Sequence, residues 1–227
     1  MGILLRGEAR PISLWTQQWD WRRVGFHTLI ITAGAGLYGA AMGWWRAPEQ
    51  AVFTAIKFPL IVMLTTLANA LLNGMLAPLL GLNIPLRQSF LAVLTSFAII
   101  AAILGSFSPL AAFVVWNAPP LESQTATTAT YILIKFMHVV VIAFAGIAGN
   151  VRLFQLLLQL SGNRVVATRV LFAWLTGNLF FGSQLSWILR PFIGTPSMPV
   201  QFFRAEALHG NFYENLFHEL TQLIAPD

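Results

Sequence analysis

The chain has 227 residues, of which 57% are hydrophobic and only 9% charged, against roughly 25% charged in an ordinary soluble domain. With a mean hydropathy of +0.71, that composition excludes a soluble globular domain and places the chain in a bilayer. The absence of cysteine excludes disulfides and thiolate metal sites, and the net charge of +5 is scattered over the ends of apolar runs, which gives no nucleic acid a surface to bind.

The N-terminus, MGILLRGEARPISLW, does not read as a signal peptide. Its apolar core, Ile3 to Leu5, is too short, and Glu8 interrupts any extension. Arg6 stands where a myristoylation signal wants Ser or Thr. Residues 12–23, ISLWTQQWDWRR, set three tryptophans beside two arginines. They form either an interfacial segment or an ordinary tryptophan belt leading into the first span.

Crossing a bilayer takes about 20 apolar residues. Five stretches qualify: His27 to Trp45, Phe58 to Leu80, Ser89 to Trp116, Tyr131 to Val151 and Val170 to Leu189. The third is long enough to tilt or kink at Pro109. Residues 47–56 are expected as a short surface helix before Pro59, with Pro48 in its first turn. Residues 152–160, RLFQLLLQL, extend the fourth span or form a surface helix, and the Ser161-Gly162-Asn163 turn ends them.

The fifth span runs into LSWILRPFIGTPSMP. Pro191 disfavours helical geometry at Arg190, so the helix is expected to stop there. Pro191, Pro196 and Pro199 make a stiff segment, and Gly194 permits a turn. Asn211 and Glu214 resemble a capping box opening an amphipathic helix of about three turns. Its apolar residues include Phe212, Tyr213, Leu216, Phe217 and Leu220.

The expected fold is therefore all-α: a polytopic membrane bundle of about five transmembrane helices plus interfacial helices. Residues 1–26 form an interfacial N-terminal segment, 27–189 the five-span bundle, and 190–227 a proline-rich strut with an amphipathic helix. With the N-terminus cytoplasmic, eight Lys and Arg fall inside and five outside. That bias favours a cytoplasmic N-terminus and an external C-terminus, as for a bacterial inner-membrane protein.

All eight acidic residues lie outside the five predicted spans. A proton-coupled carrier or an intramembrane acid protease needs a carboxylate at depth, so the chain reads as non-enzymatic, with no catalytic residue. Asn69 and Asn73 share one face of span two, and Asn178 and Gln184 sit on span five. These amides serve either as polar contacts between helices or as the lining of a polar path, the first being the commoner use. Gly34, Gly36, Gly39 and Gly43 let another helix approach span one. A dyad of Ser183 and His138 lacks any local motif to support it. His138 and His27 are the two candidate ligands for haem or pigment, although lone histidines more often serve packing; no metal or cofactor is expected.

The tail is the candidate docking surface for another membrane subunit, through Arg190, Pro191, Phe192, Phe212, Tyr213, Leu216, Phe217 and Leu220. Its acidic residues Glu206, Glu214 and Glu219 argue against adsorption to anionic lipid. The bilayer and other membrane subunits are the expected partners. A transporter, channel or lipid-handling protein is the alternative, and a pigment- or haem-binding subunit the second.

The stretch IKFPLIVMLTTLANALLNGMLAPLLGLNIPLRQS, Ile56 to Ser89, resembles the helix pair of bacterial Yip1-like membrane proteins. There a short surface helix meets a proline-started span, and a small-residue turn leads on. GSQLSWILRPFIGTP followed by GNFY resembles an uncharacterised group of bacterial membrane proteins with an Arg-Pro-Phe-Ile/Phe-Gly ending. The resemblance implies five spans, a cytoplasmic N-terminus and a scaffolding or membrane-shaping role without catalytic residues. Only about 26 residues precede span one, whereas eukaryotic members carry a long cytosolic domain that engages trafficking GTPases.

Overall fold

A computed structural model describes residues 20–119, 128–194 and 199–224. The tryptophan-rich N-terminal segment up to residue 19, Pro196 and Glu122 lie outside the described residues. Six helices and no strand occur among the described residues: α1 Trp21–Trp44, α2 Pro48–Leu79, α3 Leu86–Asn117, α4 Thr128–Ser161, α5 Arg164–Leu189 and α6 Phe212–Ile224. The first five are long and apolar enough to cross a membrane.

Helix α1 packs against α2 and α3. Its buried face is built of small residues, among them Gly34, Ala35, Gly39, Ala41 and Gly43. A β-carbon at Gly43 would lie 2.5 Å from the Gln50 carbonyl oxygen, and one at Gly39 would lie 2.6 Å from that of Thr54. At Gly34 it would collide with the Ala101 carbonyl of α3. Small residues thus let α2 and α3 press their backbones onto α1, the close approach through which helices gain dispersion energy where lipid removes the hydrophobic drive.

The expected break before span two is absent. Residues 48–79 form one helix with Pro59 inside it, so the separate surface helix over 47–56 is the first part of α2. Proline at position 59 removes the amide that would bond the Ala55 carbonyl. That carbonyl faces Gly36, where an added β-carbon would be 3.3 Å away, so the neighbouring helix accommodates the defect. Glu49, exposed, falls in the first turn of α2, which suits an acid at a helix N-terminus.

Pro109 likewise lies inside a continuous α3. Its missing amide frees the Gly105 carbonyl, and the Ser108 hydroxyl donates to that oxygen at 2.7 Å. The stretch 152–160 continues α4 rather than lying separately on the surface. Leu153, Leu156 and Leu157 pack there against Ala167, Val170 and Trp174 of α5. At 34 residues, α4 is about 50 Å long, so it projects well beyond a hydrocarbon core of about 30 Å.

Helix α5 opens on Asn163, whose side chain accepts from the amides of Val165 and Val166. It stops where Pro191 requires: Arg190 is extended, with φ −60° and ψ 153°, and the following peptide bond is cis. The α6 capping box forms in both directions. The Asn211 amide donates to the Glu214 carboxylate at 3.2 Å, and the Glu214 amide to the Asn211 side chain at 2.9 Å.

Candidate functional site

Three side chains on α2, Gln50, Thr54 and Lys57, are wholly buried. Their spacing of four and three sets them on one face of the helix. That face meets the chain immediately after α5. Gln50 Nε2 donates to the carbonyls of Pro191 at 2.9 Å and Phe192 at 2.8 Å. Lys57 Nζ donates to Pro191 at 3.0 Å, and the Thr54 hydroxyl to Phe192 at 2.7 Å. Each carbonyl therefore has two donors.

The need for this clamp follows from backbone chemistry. A buried carbonyl outside a helix must find its donors on neighbouring elements. Pro191 brings no amide, so its carbonyl is the only main-chain polar group it adds. The Phe192 ring packs 6.4 Å from that of Phe58 and joins the core of Tyr38, Met42 and Leu104. Lys57 also lies 4.9 Å from the Phe202 ring centroid, a cation–π distance. Gly194 turns with φ +81°, and a β-carbon there would sit 3.0 Å from Cγ of Arg46.

Residues 191–194, the described start of the stiff segment, thus pack back onto α2. Of the expected docking residues, Pro191 and Phe192 are turned inward. Arg190 lays its guanidinium 3.0 Å from the Trp187 ring centroid. Its Nε and Nη1 are buried and unpartnered among the described residues. Burial, with repulsion from Arg204 added, holds that group below the ordinary arginine range.

Helix α6 also returns to the bundle. The Phe212 amide donates to the Gln184 side chain at 3.1 Å. The Tyr213 hydroxyl meets that of Ser183 at 2.8 Å, and its ring stacks on Phe180 at 5.5 Å. Leu216 and Phe217 are exposed, Phe217 at 71%. The Leu220 side chain lies outside those described.

The span amides divide by role. Asn69 of α2 donates to the Asn178 side chain at 2.6 Å and to the Trp174 carbonyl at 3.2 Å, tying α2 to α5. Gln184 tethers α6. Asn73 is fully buried, yet neither of its amide atoms has a partner among the described residues.

The histidines are separate. His27 Nδ1 donates to the Arg23 carbonyl at 2.6 Å, while Nε2 lies 3.2 Å from the Thr95 hydroxyl. Both ring nitrogens are thereby occupied, which leaves none for a metal or haem. His138 Nδ1 bonds the Tyr38 hydroxyl at 2.9 Å, and its buried Nε2 has no partner among the described residues. Ser183 is bonded to the tail and His138 to α1, so they form no dyad. Among the described residues no three His, Cys, Asp or Glu are grouped to hold a metal.

Sequence reasoning singled out the RPFIG motif but not its receptor. The signal was present as Gln50, Thr54 and Lys57 at i, i+4 and i+7. No family model matches the chain, and no curated protein or solved structure does either.

Proposed function

We propose that this multi-pass protein is a non-enzymatic scaffold or accessory subunit, and that α6 is its platform for another membrane subunit. One observation carries the reading: the tail is anchored twice, at the Gln50–Thr54–Lys57 clamp and at Gln184–Ser183, yet Leu216 and Phe217 stay exposed. A helix that merely floats on lipid needs no such fixing. The exposed acids Glu206 and Glu214 beside this face favour a partner with a basic juxtamembrane segment. The proposal places the N-terminus in the cytoplasm and α6 outside a bacterial inner membrane, supported by the bias of Lys and Arg. It extends to kinship with Yip1-like proteins, supported by five spans and an α2–α3 turn at Gly81, although an unbroken α2 departs from their pattern.

The test is a photocrosslinking residue at Phe217, with Phe172 on exposed α5 surface as control, in native membranes. A discrete protein adduct from position 217 that is absent from 172, and lost when the two α6 acids Glu214 and Glu219 are neutralised, is the expected result. Lipid adducts alone from both sites would refute the docking role.

A further inference from the structure

A cavity of about 270 Å³ lies among α2, α3, α4 and α5. Its wall is mainly apolar, with Phe58, Val93, Phe97 and Ile142 among the lining residues, and no charged side chain contributes to it. Leu179 also lines it and is 71% exposed. The cavity therefore reaches the exposed apolar surface of α5 at Leu179.

Two polar groups in the wall are left unsatisfied. Thr65 is only 3% exposed, and its hydroxyl has no partner. Asn178 gives its oxygen to Asn69, and its amide nitrogen makes no hydrogen bond among the described residues. Two of the other polar lining groups are spent on backbone: the Ser96 hydroxyl donates to Gly149 and the Asn150 amide to Gly146. A buried hydroxyl without an acceptor costs free energy unless something supplies one, and the half-buried Asn178 amide can share that acceptor. The unsatisfied pair calls for an acceptor such as a carbonyl oxygen.

Size and charge narrow the occupant. Pockets for drug-sized ligands run from roughly 300 to 1,000 Å³, so this cavity takes one chain and not a diacyl lipid. A carboxylate or phosphate would find no cation in the wall. The lateral opening selects molecules already dissolved in the bilayer.

We infer that the cavity binds a neutral single-chain lipid of the monoacylglycerol type, its chain against Phe58 and Phe97 and its ester carbonyl facing Thr65 and Asn178. This site is separate from the tail surface and stands whether or not α6 docks a partner.

Gly182 supplies the decisive variant. It lines the cavity, and a β-carbon there meets nothing closer than Thr65 at 3.9 Å. Gly182→Leu therefore starts its side chain in open space and extends it into the cavity. The purified full chain in nanodiscs is irradiated with a monoacylglycerol carrying a diazirine near its chain end and an alkyne handle. Labelled peptides are then mapped by mass spectrometry. The wild type is expected to carry label on the cavity-facing residues of α2 and α3, competed by excess unlabelled monoacylglycerol but not by oleate. Gly182→Leu should lower that label at least tenfold at unchanged melting temperature. Should that variant fail to fold, Thr65→Val keeps the shape and removes one hydrogen bond, for a loss of roughly threefold to tenfold. Label confined to exposed residues outside the cavity such as Phe172 and Phe180, or insensitive to both variants, would show annular lipid only and overturn the site. Equal competition by oleate would overturn the neutral-carbonyl assignment.

Discussion

The ammonium of Lys57 donates to the carbonyl of Pro191 at 3.0 Å across 134 positions of sequence. It does so from a fully buried position, with no carboxylate paired to it among the described residues. A lysine that cannot reach water is costly in a membrane. Its retention here is tied to the carbonyl that it satisfies. The same carbonyl accepts from Gln50, and this redundancy makes the clamp testable.

Single changes in the clamp should be mild and paired changes severe. Lys57→Met leaves Pro191 with Gln50, and Gln50→Leu leaves it with Lys57. Lys57→Met is expected to cost about 1 kcal/mol, the worth of one net hydrogen bond, and Gln50→Leu about 2 kcal/mol, because Gln50 also donates to Phe192. The double variant orphans a buried carbonyl, adding a penalty of about 1–3 kcal/mol. Non-additivity of that size is what a double-mutant cycle resolves. Thermal melts in one detergent, with limited proteolysis after residue 190, measure it. Strict additivity would mean that the two donors act on separate partners.

Gly194 and Gly146 form a second contrast. Gly194→Ala puts a β-carbon at φ +81° and 3.0 Å from Arg46. Left-handed backbone alone costs an L-residue roughly 1–2 kcal/mol. Gly146→Ala meets nothing within 4 Å and should be neutral or slightly stabilising, since alanine is the better helix former. The comparison reads as the difference in melting temperature. Equal effects would show that the turn is not held as described.

Much of this architecture was legible in the chain. The five spans follow from apolar length, and the stop at Arg190 follows from the proline after it. The capping box follows from Asn211 and Glu214. The failures share one cause, which is that the deciding partner lies far away in sequence. Pro59 reads as a helix boundary until Gly36 is seen to make room beside the Ala55 carbonyl. Lys57 counts only as one of the five outer cations until the tail delivers a carbonyl to it. Phe192 reads as an exposed anchor, because its aromatic neighbour Phe58 belongs to another helix. The cavity leaves no trace in any one segment, since four helices each supply part of its wall.

The tether of α6 rests on a small contact. Tyr213→Phe removes the hydroxyl bonded to Ser183 but keeps the ring on Phe180. It should raise amide exchange in α6 by about fivefold, the equivalent of roughly 1 kcal/mol, and leave α1 to α5 unchanged. Tyr213→Ala removes the stacking as well and should expose α6 further. Exchange in α6 that ignores both changes would place its anchorage elsewhere.

The two asparagines of α2 are one helical turn apart and should behave oppositely. Asn69 bridges to Asn178 and to the Trp174 carbonyl, so Asn69→Leu removes real bonds between α2 and α5. Such bonds in membranes average about 0.6 kcal/mol and reach about 1.7. Leucine must also fit beside Gly177, where an added β-carbon would collide with the Asn69 side chain, so a loss of about 1–2 kcal/mol is expected. Asn73 is buried with both amide atoms unpartnered, and replacing an unsatisfied polar group by an apolar one of similar volume is neutral or stabilising. Asn73→Leu should therefore match or exceed the wild-type melting temperature. If instead Asn73→Leu proved as damaging as Asn69→Leu, its amide would have an occupant, and the seam between α2 and α5 would hold more than the two helices.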